Sequence, residues 1–143
     1  DLSPGRRPFP LLHLMPDELR GIVLDFAWDL ARLRALRLPV SPMPVAELTW
    51  HLDLPFWAYD GRPFAVTPWE VASDPGRYHE QFARTMAADL TFPIDVLARP
   101  SRVTILDGVH RLLKAHLLGQ QTILVRSLDV DRLDEIAVPT QSG

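Results

Sequence analysis

The sequence predicts a small α+β domain in which helices pack on a short mixed sheet. Its 143 residues, 47% of them apolar, are enough for one compact domain with a buried core. Segments whose apolar residues recur at helical spacing alternate with short apolar runs that proline or glycine interrupts. The predicted order is helix, short strand, aromatic loop, helices, hairpin, helix and strand, and this order is typical of the α+β class.

Composition excludes several classes of function. Cysteine is absent, so disulfides, thiolate catalysis and cysteine-ligated metals are excluded. The formal charge of −3 argues against a broad basic surface for nucleic acid. No apolar run approaches the roughly 18 residues that a membrane span needs, and the first residues lack the form of a signal peptide. We therefore expect a cytoplasmic protein that does not bind membranes and for which nucleic acid is not the favoured partner. Nearly exclusive use of arginine over lysine indicates codon bias in a GC-rich genome. A bacterial source is expected.

Residues 1–37 are predicted to form an N-terminal arm and a helix packed on the domain. Four residues of Asp1–Pro10 are proline or glycine, which favours a loosely draped arm. A helix is predicted from Pro16 to Leu36, because a proline and two acids stand at its start. Its packing stripe would consist of the apolar residues at helical spacing: Leu19, Ile22, Val23, Phe26, Leu30 and Leu33.

The main domain is predicted over 38–130. Three prolines within 38–48 limit any strand there to a short or edge strand. Thr67, Pro68 and Glu70 have the pattern of a capping box with proline at the first helical position. The other predicted elements are an aromatic loop over 49–63, a helix over 77–90, a hairpin of strands 94–97 and 103–106, a helix from His110 to Gly119, a strand over 122–128, and a C-terminal turn and tail over 131–143.

The segment 102–125 carries the strongest chemical signal. An apolar strand leads into Asp107 and Gly108, and a helix follows. The beginning of a helix presents unpaired N–H groups and the positive end of the helix dipole, both of which favour an anion. Gly108 would allow close approach of the backbone, and Arg111 could hold a phosphate through two parallel hydrogen bonds. The sequence therefore predicts a ligand that carries phosphate.

Each of these residues also has a structural interpretation. Asp107 and Gly108 could form a simple turn, and His110 could bond a nearby carbonyl at the start of the helix. Arg111 could pair with an acid. Lys114, one turn farther on, could reach phosphate as a point charge, although a solvated helix face is the favoured interpretation.

The residues Leu106-Asp107-Gly108-Val109-His110-Arg111, with their flanking strands and helix, resemble the ParB N-terminal/sulfiredoxin superfamily. Upstream, the predicted helix that ends at Leu90, followed by Thr91-Phe92-Pro93-Ile94, is similar to that family's helix leading into a "Pro-Ile" strand. The resemblance covers 38–130, and its specific part is 93–125.

The resemblance implies a nucleotide pocket for CTP, ATP or ADP with Mg²⁺. Gly108, His110 and Arg111, with Lys114 nearby, would contact the phosphates. Asp107 stands where free-serine kinases of this fold carry an acid, so it would serve as a base or help to hold Mg²⁺.

A second, small-molecule substrate is expected at the aromatic loop. Trp50, His51 and Trp57 could line the mouth of the pocket, or they could fill the core. Kinases of this fold place an acid after the first strand, and Asp53 or Glu47 is the local candidate for that catalytic role.

The chain departs from the family at two informative positions. Val109 stands where sulfiredoxin carries its nucleophilic cysteine, which excludes sulfinic-acid reduction by that route. Val-His-Arg replaces the Glu-Arg-Arg of chromosome-partitioning ParB, so DNA segregation is not expected. The leading hypothesis is a nucleotide-binding protein that acts as a small-molecule kinase. The alternative is a non-catalytic module that binds protein or DNA, and a nuclease ranks third. The oligomeric state stays open.

Overall fold

Residues 6–138 are described by a computed structural model, and they form the α+β fold that the sequence predicts. The helices are α1 (Leu30–Ala35), α2 (Pro68–Ser73), α3 (His79–Ala87) and α4 (Val109–Leu117). The strands are β1 (Val40–Pro44), β2 (Trp57–Tyr59), β3 (Arg62–Val66), β4 (Ile94–Ala98), β5 (Val103–Asp107) and β6 (Thr122–Asp129). Short 3-10 helices span Leu12–Leu14, Asp17–Leu19, Val45–Glu47, Thr49–Asp53 and Val130–Glu135.

A mixed four-stranded sheet has the order β1-β6-β4-β5, and β2 with β3 forms a separate antiparallel hairpin. The predicted hairpin of β4 and β5 is antiparallel, and α4 then connects β5 to β6, which lies parallel to β4. Asp95 on β4 stands opposite Asp107 on β5, next to an irregularity in the register. This pairing places two carboxylates at the edge of the sheet where α4 begins.

Apolar residues cover both faces of the sheet. One cluster, which includes Val96, Leu112 and Leu113, lies between the sheet and α4. The other, which includes Phe26, Leu33 and Leu97, lies between the sheet and the N- and C-terminal segments. The middle strand β4 is therefore buried on both sides. Its start, and the start of α4, are held in fixed positions by this packing.

The long N-terminal helix predicted from Pro16 to Leu36 is wrong. Only Asp17–Leu19 (3-10) and α1 are helical in this stretch, and residues near 26 and 28 form isolated β-bridges instead. Gly21 has a φ of +80°, which interrupts a helix, and the Asp29 side chain accepts from Ala31 N at 2.9 Å and starts α1 anew. An irregular chain covers the sheet here in place of a helix and still buries apolar residues of the predicted stripe. These buried residues are Leu19, Ile22, Phe26 and Leu33.

Elements with local sequence signals are confirmed. The Thr67 hydroxyl accepts from Glu70 N at 3.1 Å, and the Glu70 carboxylate accepts from Thr67 N at 3.0 Å, so the capping box of α2 is complete. The predicted strand of 38–48 is the edge strand β1. Inside the aromatic loop the structure adds the β2–β3 hairpin, which turns at Asp60 (φ +52°) and Gly61 (φ +74°).

The predicted arm over residues 1–10 and the predicted tail over 131–143 lie partly outside the described residues. Within 131–138, the expected helical turn is the end of the 3-10 helix Val130–Glu135. No helix among residues 6–138 has the length and apolar character to cross a membrane.

Candidate anion-binding cleft

A cleft of about 620 Å³, here called the α4 cleft, opens where β5 ends and α4 begins. Four parts of the chain line it: the end of α1, the α3–β4 loop, the ends of the sheet strands and the first turn of α4. Asp107, Gly108, His110 and Arg111 all contribute to its wall. The structure thus brings together most of the residues predicted to hold phosphate.

The N-terminus of α4 lacks a side-chain cap from residues 6–138. Its N-cap residue is Gly108, with a φ of +122°, and no side chain within the described part of the chain caps this end of the nine-residue helix. A Cβ atom at Gly108 would lie 3.0 Å from Ile94 Cγ1 and 3.1 Å from Arg111 Nη2. Glycine is required here by both the backbone angle and the space. The amides of the first turn have no partner within the helix and so suit an anion.

The guanidinium of Arg111 is engaged inside the protein. Nη2 donates to Asp107 Oδ2 at 2.9 Å, and Nη1 donates to the carbonyl of Phe92 at 3.3 Å and to that of Pro93. Its side chain is only 14% exposed. The structure therefore shows the internal ion pair that the sequence left open, and Arg111 positions the α3–β4 loop and Asp107. A direct contact of this side chain with phosphate would require it to give up one of these bonds.

Arg34 supplies the exposed cation of the cleft. This α1 residue is 66% exposed, and its Nη2 stands 4.0 Å from Asp107 Oδ2. Sequence reasoning missed it, because an arginine near the C-terminal end of a helix is stabilised by the helix dipole and so gives no signal of a ligand. Nothing in the spacing of residues 34 and 107 indicates that the two side chains meet.

A second ion pair closes the floor of the cleft. Arg126 Nη1 donates to Asp95 Oδ1 at 2.7 Å, and Nη2 donates to the carbonyls of Leu33 (3.2 Å) and Leu36 (2.6 Å). Burial raises the pKa of Asp95, and the charge of Arg126 opposes that shift. This pair fastens the end of α1 to the sheet, and so it fixes where Arg34 stands.

His110 contributes to the wall of the cleft, but its ring is engaged inside the protein. Its ring stacks on Trp57 with the centroids 4.2 Å apart, and Nε2 donates to Gln81 Oε1 at 2.9 Å. Gln81 Nε2 in turn donates to the Ala58 carbonyl, which sets the orientation of the amide. Burial, and next the charge of Arg84, lower the pKa of His110 to about 4. The imidazole is neutral near pH 7 and adds no positive charge to the cleft.

Lys114 does not line the cleft. Its Nζ donates to the carbonyls of Met86 (2.8 Å) and Ala88 (2.7 Å), and so it caps the end of α3. The two acids proposed as alternative bases, Glu47 and Asp53, are exposed in 3-10 helices and also lie outside the lining. Asp107 is thus the only one of the three candidate catalytic acids that faces the cleft.

The aromatic residues predicted to bind a second substrate lie in or against the core. His51 is fully buried: Nδ1 donates to the Leu48 carbonyl at 2.8 Å, and Nε2 accepts from Ile105 N at 3.1 Å. Burial lowers the pKa of His51 to about 4. Trp50 stacks on His51 at 3.8 Å, and Trp57 is buried against His110. These contacts agree with the core-filling interpretation, and none of the three residues lines the α4 cleft.

No protein-family model, curated protein or solved structure matches this chain. Membership of the ParB N-terminal/sulfiredoxin superfamily therefore stays a prediction, carried by the motif within residues 93–125. The function of the α4 cleft has to be argued from its own chemistry.

Proposed function

We propose that the protein binds a nucleotide, ATP, ADP or CTP, with the phosphates over the first turn of α4. The observation that carries this proposal is the uncapped start of α4 at Gly108, which opens into a cleft beside an exposed arginine. Unpaired amides, the positive end of the dipole and Arg34 together favour phosphate oxygens.

Beside the first turn of α4, the charge balance of the cleft supports an anionic ligand. Two of its carboxylates are already neutralised, Asp107 by Arg111 and Asp95 by Arg126. Arg34 pairs only loosely with Asp107, because its Nη2 atom lies 4.0 Å from Asp107 Oδ2. A phosphate can therefore approach the amides of α4 without facing an unpaired carboxylate there.

The proposal extends to phosphoryl transfer through Asp107. Such transfer needs positive charge, a metal ion and one group that orients the nucleophile. Asp107 has a 29% exposed side chain at the start of α4, which suits this task better than the positions of Glu47 and Asp53. No group of three potential metal ligands occurs among residues 6–138. Mg²⁺ would fit as it does in many nucleotide sites, with one or two carboxylates and the phosphates of the ligand. A small molecule would be the phosphate acceptor.

Calorimetric titration with ATP, ADP and CTP, with and without Mg²⁺, tests the proposal. Arg34→Gln should weaken binding about tenfold or more, because hydrogen bonds to charged groups contribute ~1.5–3 kcal/mol. Arg62→Gln, an exposed arginine of β3 outside the cleft, should bind as the wild type does. A folded sample that binds none of the three nucleotides would refute the proposal. Binding of ATP without any release of ADP, in the presence of small hydroxyl compounds as phosphate acceptors, would favour the non-catalytic module over the kinase.

A further inference from the structure

Phe92 is a large aromatic residue that the protein leaves in solvent at the rim of the α4 cleft. Its exposure is 62%, and it belongs to neither hydrophobic cluster. A phenyl ring buried in a core contributes about 1.5–3 kcal/mol, and an exposed ring forgoes that stabilisation. Single exposed apolar residues are common, but Phe92 differs from most of them because it lies beside a cleft.

Hydrogen bonds hold the backbone of Phe92 in place, although its ring is exposed to solvent. The Asp89 carboxylate accepts from both the amide and the hydroxyl of Thr91, at 2.9 and 2.7 Å. Phe92 N donates to the Asp89 carbonyl at 3.3 Å, and Arg111 holds the Phe92 carbonyl. These hydrogen bonds already order the turn that carries the ring. A ligand that stacks on the ring would therefore not pay the entropy cost of ordering the loop.

Arg111 also connects the loop that carries Phe92 to the first turn of α4, where the phosphates are proposed to bind. It is the third residue of α4, and its guanidinium reaches back to the carbonyls of the loop that carries Phe92. The rim and the first turn of α4 are thus two parts of one wall. A ligand with an anionic end on α4 can extend toward Phe92.

The charge of Asp89 determines the orientation in which a ligand would bind in the α4 cleft. Asp89 lies on the rim side of the cleft and has no ion-pair partner among the described residues. Hydrogen bonds from Thr91 lower the pKa of Asp89, so it stays ionised near neutral pH. Phosphate is repelled from that side, and the uncharged part of the ligand is favoured there.

We infer that Phe92 stacks against the ring of an aromatic phosphate ester, so that the α4 cleft selects nucleotides over inorganic polyphosphates and sugar phosphates. This inference rests on the proposed function, because it takes the phosphate position over α4 as given. It adds the residue that recognises the base and the direction in which the ligand lies.

Paired titrations with ATP and with inorganic triphosphate, at one Mg²⁺ concentration, test the inference. Wild-type protein should bind ATP about tenfold more tightly than triphosphate, which is within the range of stacking on one aromatic side chain. Phe92→Ala should lose this preference while its affinity for triphosphate is unchanged. Phe92→Trp should retain the preference, since it keeps an aromatic face.

Leu118→Ala is the matched control, because Leu118 is 56% exposed at the far end of α4 and outside the cleft. This variant should keep the wild-type preference for ATP. Equal affinities for ATP and triphosphate in the wild type would overturn the inference and leave the phosphate site intact. Binding of neither compound would overturn the proposed function and the inference together. An ATP preference that survives in Phe92→Ala would place the base elsewhere and also overturn the inference.

Discussion

The carboxylate of Asp107 lies 2.9 Å from the guanidinium of Arg111, one helical turn farther along the chain. A second arginine, Arg34, stands 4.0 Å from the same oxygen atom. Asp107 thus occupies a place between two cations that would otherwise attract the anionic group of a ligand. Under the proposed function, Asp107 would compete with the phosphates for these two arginines and would also help to hold Mg²⁺. The two roles can be tested separately.

Replacing Asp107 by Asn should strengthen the binding of metal-free ATP. The substitution removes a negative charge beside the phosphate position, and we expect a gain of about tenfold, equivalent to about 1.4 kcal/mol. With Mg²⁺ present the gain should shrink or reverse, because the carboxylate that would meet the metal is gone. Calorimetry in EDTA and in Mg²⁺ measures both values. Weaker binding in EDTA would show that Asp107 does not compete with the ligand.

Replacing Arg111 by Ala should destabilise the fold by about 2–4 kcal/mol, because Asp107 and two carbonyls lose a half-buried charged donor. Urea unfolding monitored by tryptophan fluorescence measures the loss. Arg132→Ala is the control, since Arg132 pairs at the surface with Glu135 and with no other residue of 6–138. That variant should shift the midpoint much less. Equal shifts in the two variants would contradict the positioning role of Arg111.

Replacing Gly108 by Ala should cost about 2 kcal/mol or more, because φ is +122° and the new Cβ would crowd Ile94 and Arg111. The same methyl group would narrow the approach to the amides of α4, so nucleotide affinity should also fall. Gly76→Ala is the comparison, since nothing lies within 4 Å of its Cβ position. Thermal melting and calorimetry read out the two effects. A Gly108→Ala protein as stable as Gly76→Ala would argue against the strained N-cap.

Stability should decrease as the pH falls from about 6.5 to 4. Burial lowers the pKa of His51 and of His110 to about 4 from an ordinary 6.5. In that interval the unfolded chain binds protons that the folded protein excludes, so acid favours unfolding. Each histidine should contribute a loss of about 2–3 kcal/mol.

Urea midpoints measured at several pH values between 7 and 4 test this dependence. His51→Gln should be less stable at neutral pH, and its stability should depend less steeply on pH. His13→Gln replaces an exposed histidine and should follow the wild-type curve. A wild-type midpoint that stays constant across the interval would contradict the buried, neutral state of both rings.

Local signals in the sequence account for the parts of the fold that were predicted correctly. The start of α2 depends on Thr67 and Glu70, three residues apart, and the β4–β5 hairpin and α4 follow apolar runs broken by turn residues. The N-terminal prediction failed for a physical reason. Leu19, Ile22 and Phe26 have helical spacing, yet Gly21 and the Asp29 cap favour a chain that buries the same residues without a helix.

The candidate site was predictable only where it follows one continuous segment. Asp107, Gly108 and Arg111 come from a single turn, and they line one cleft. Arg34 and Phe92 come from distant parts of the chain, and only folding brings them to that cleft. Arg111 and Lys114 are candidate phosphate contacts in the sequence, but backbone carbonyls at the end of α3 and before β4 accept from them in the structure. Spacing along a sequence does not reveal such long-range acceptors.

The edge strand β1 has a consequence for how copies of this chain meet. Pro42 and Pro44 lack backbone N–H groups, and Pro39 precedes the strand. A strand from another molecule that approached this border would find too few donors for a continuous ladder of hydrogen bonds. Growth of the sheet from one copy into the next is discouraged at β1, so crowding should not drive the folded protein into fibrils along this border.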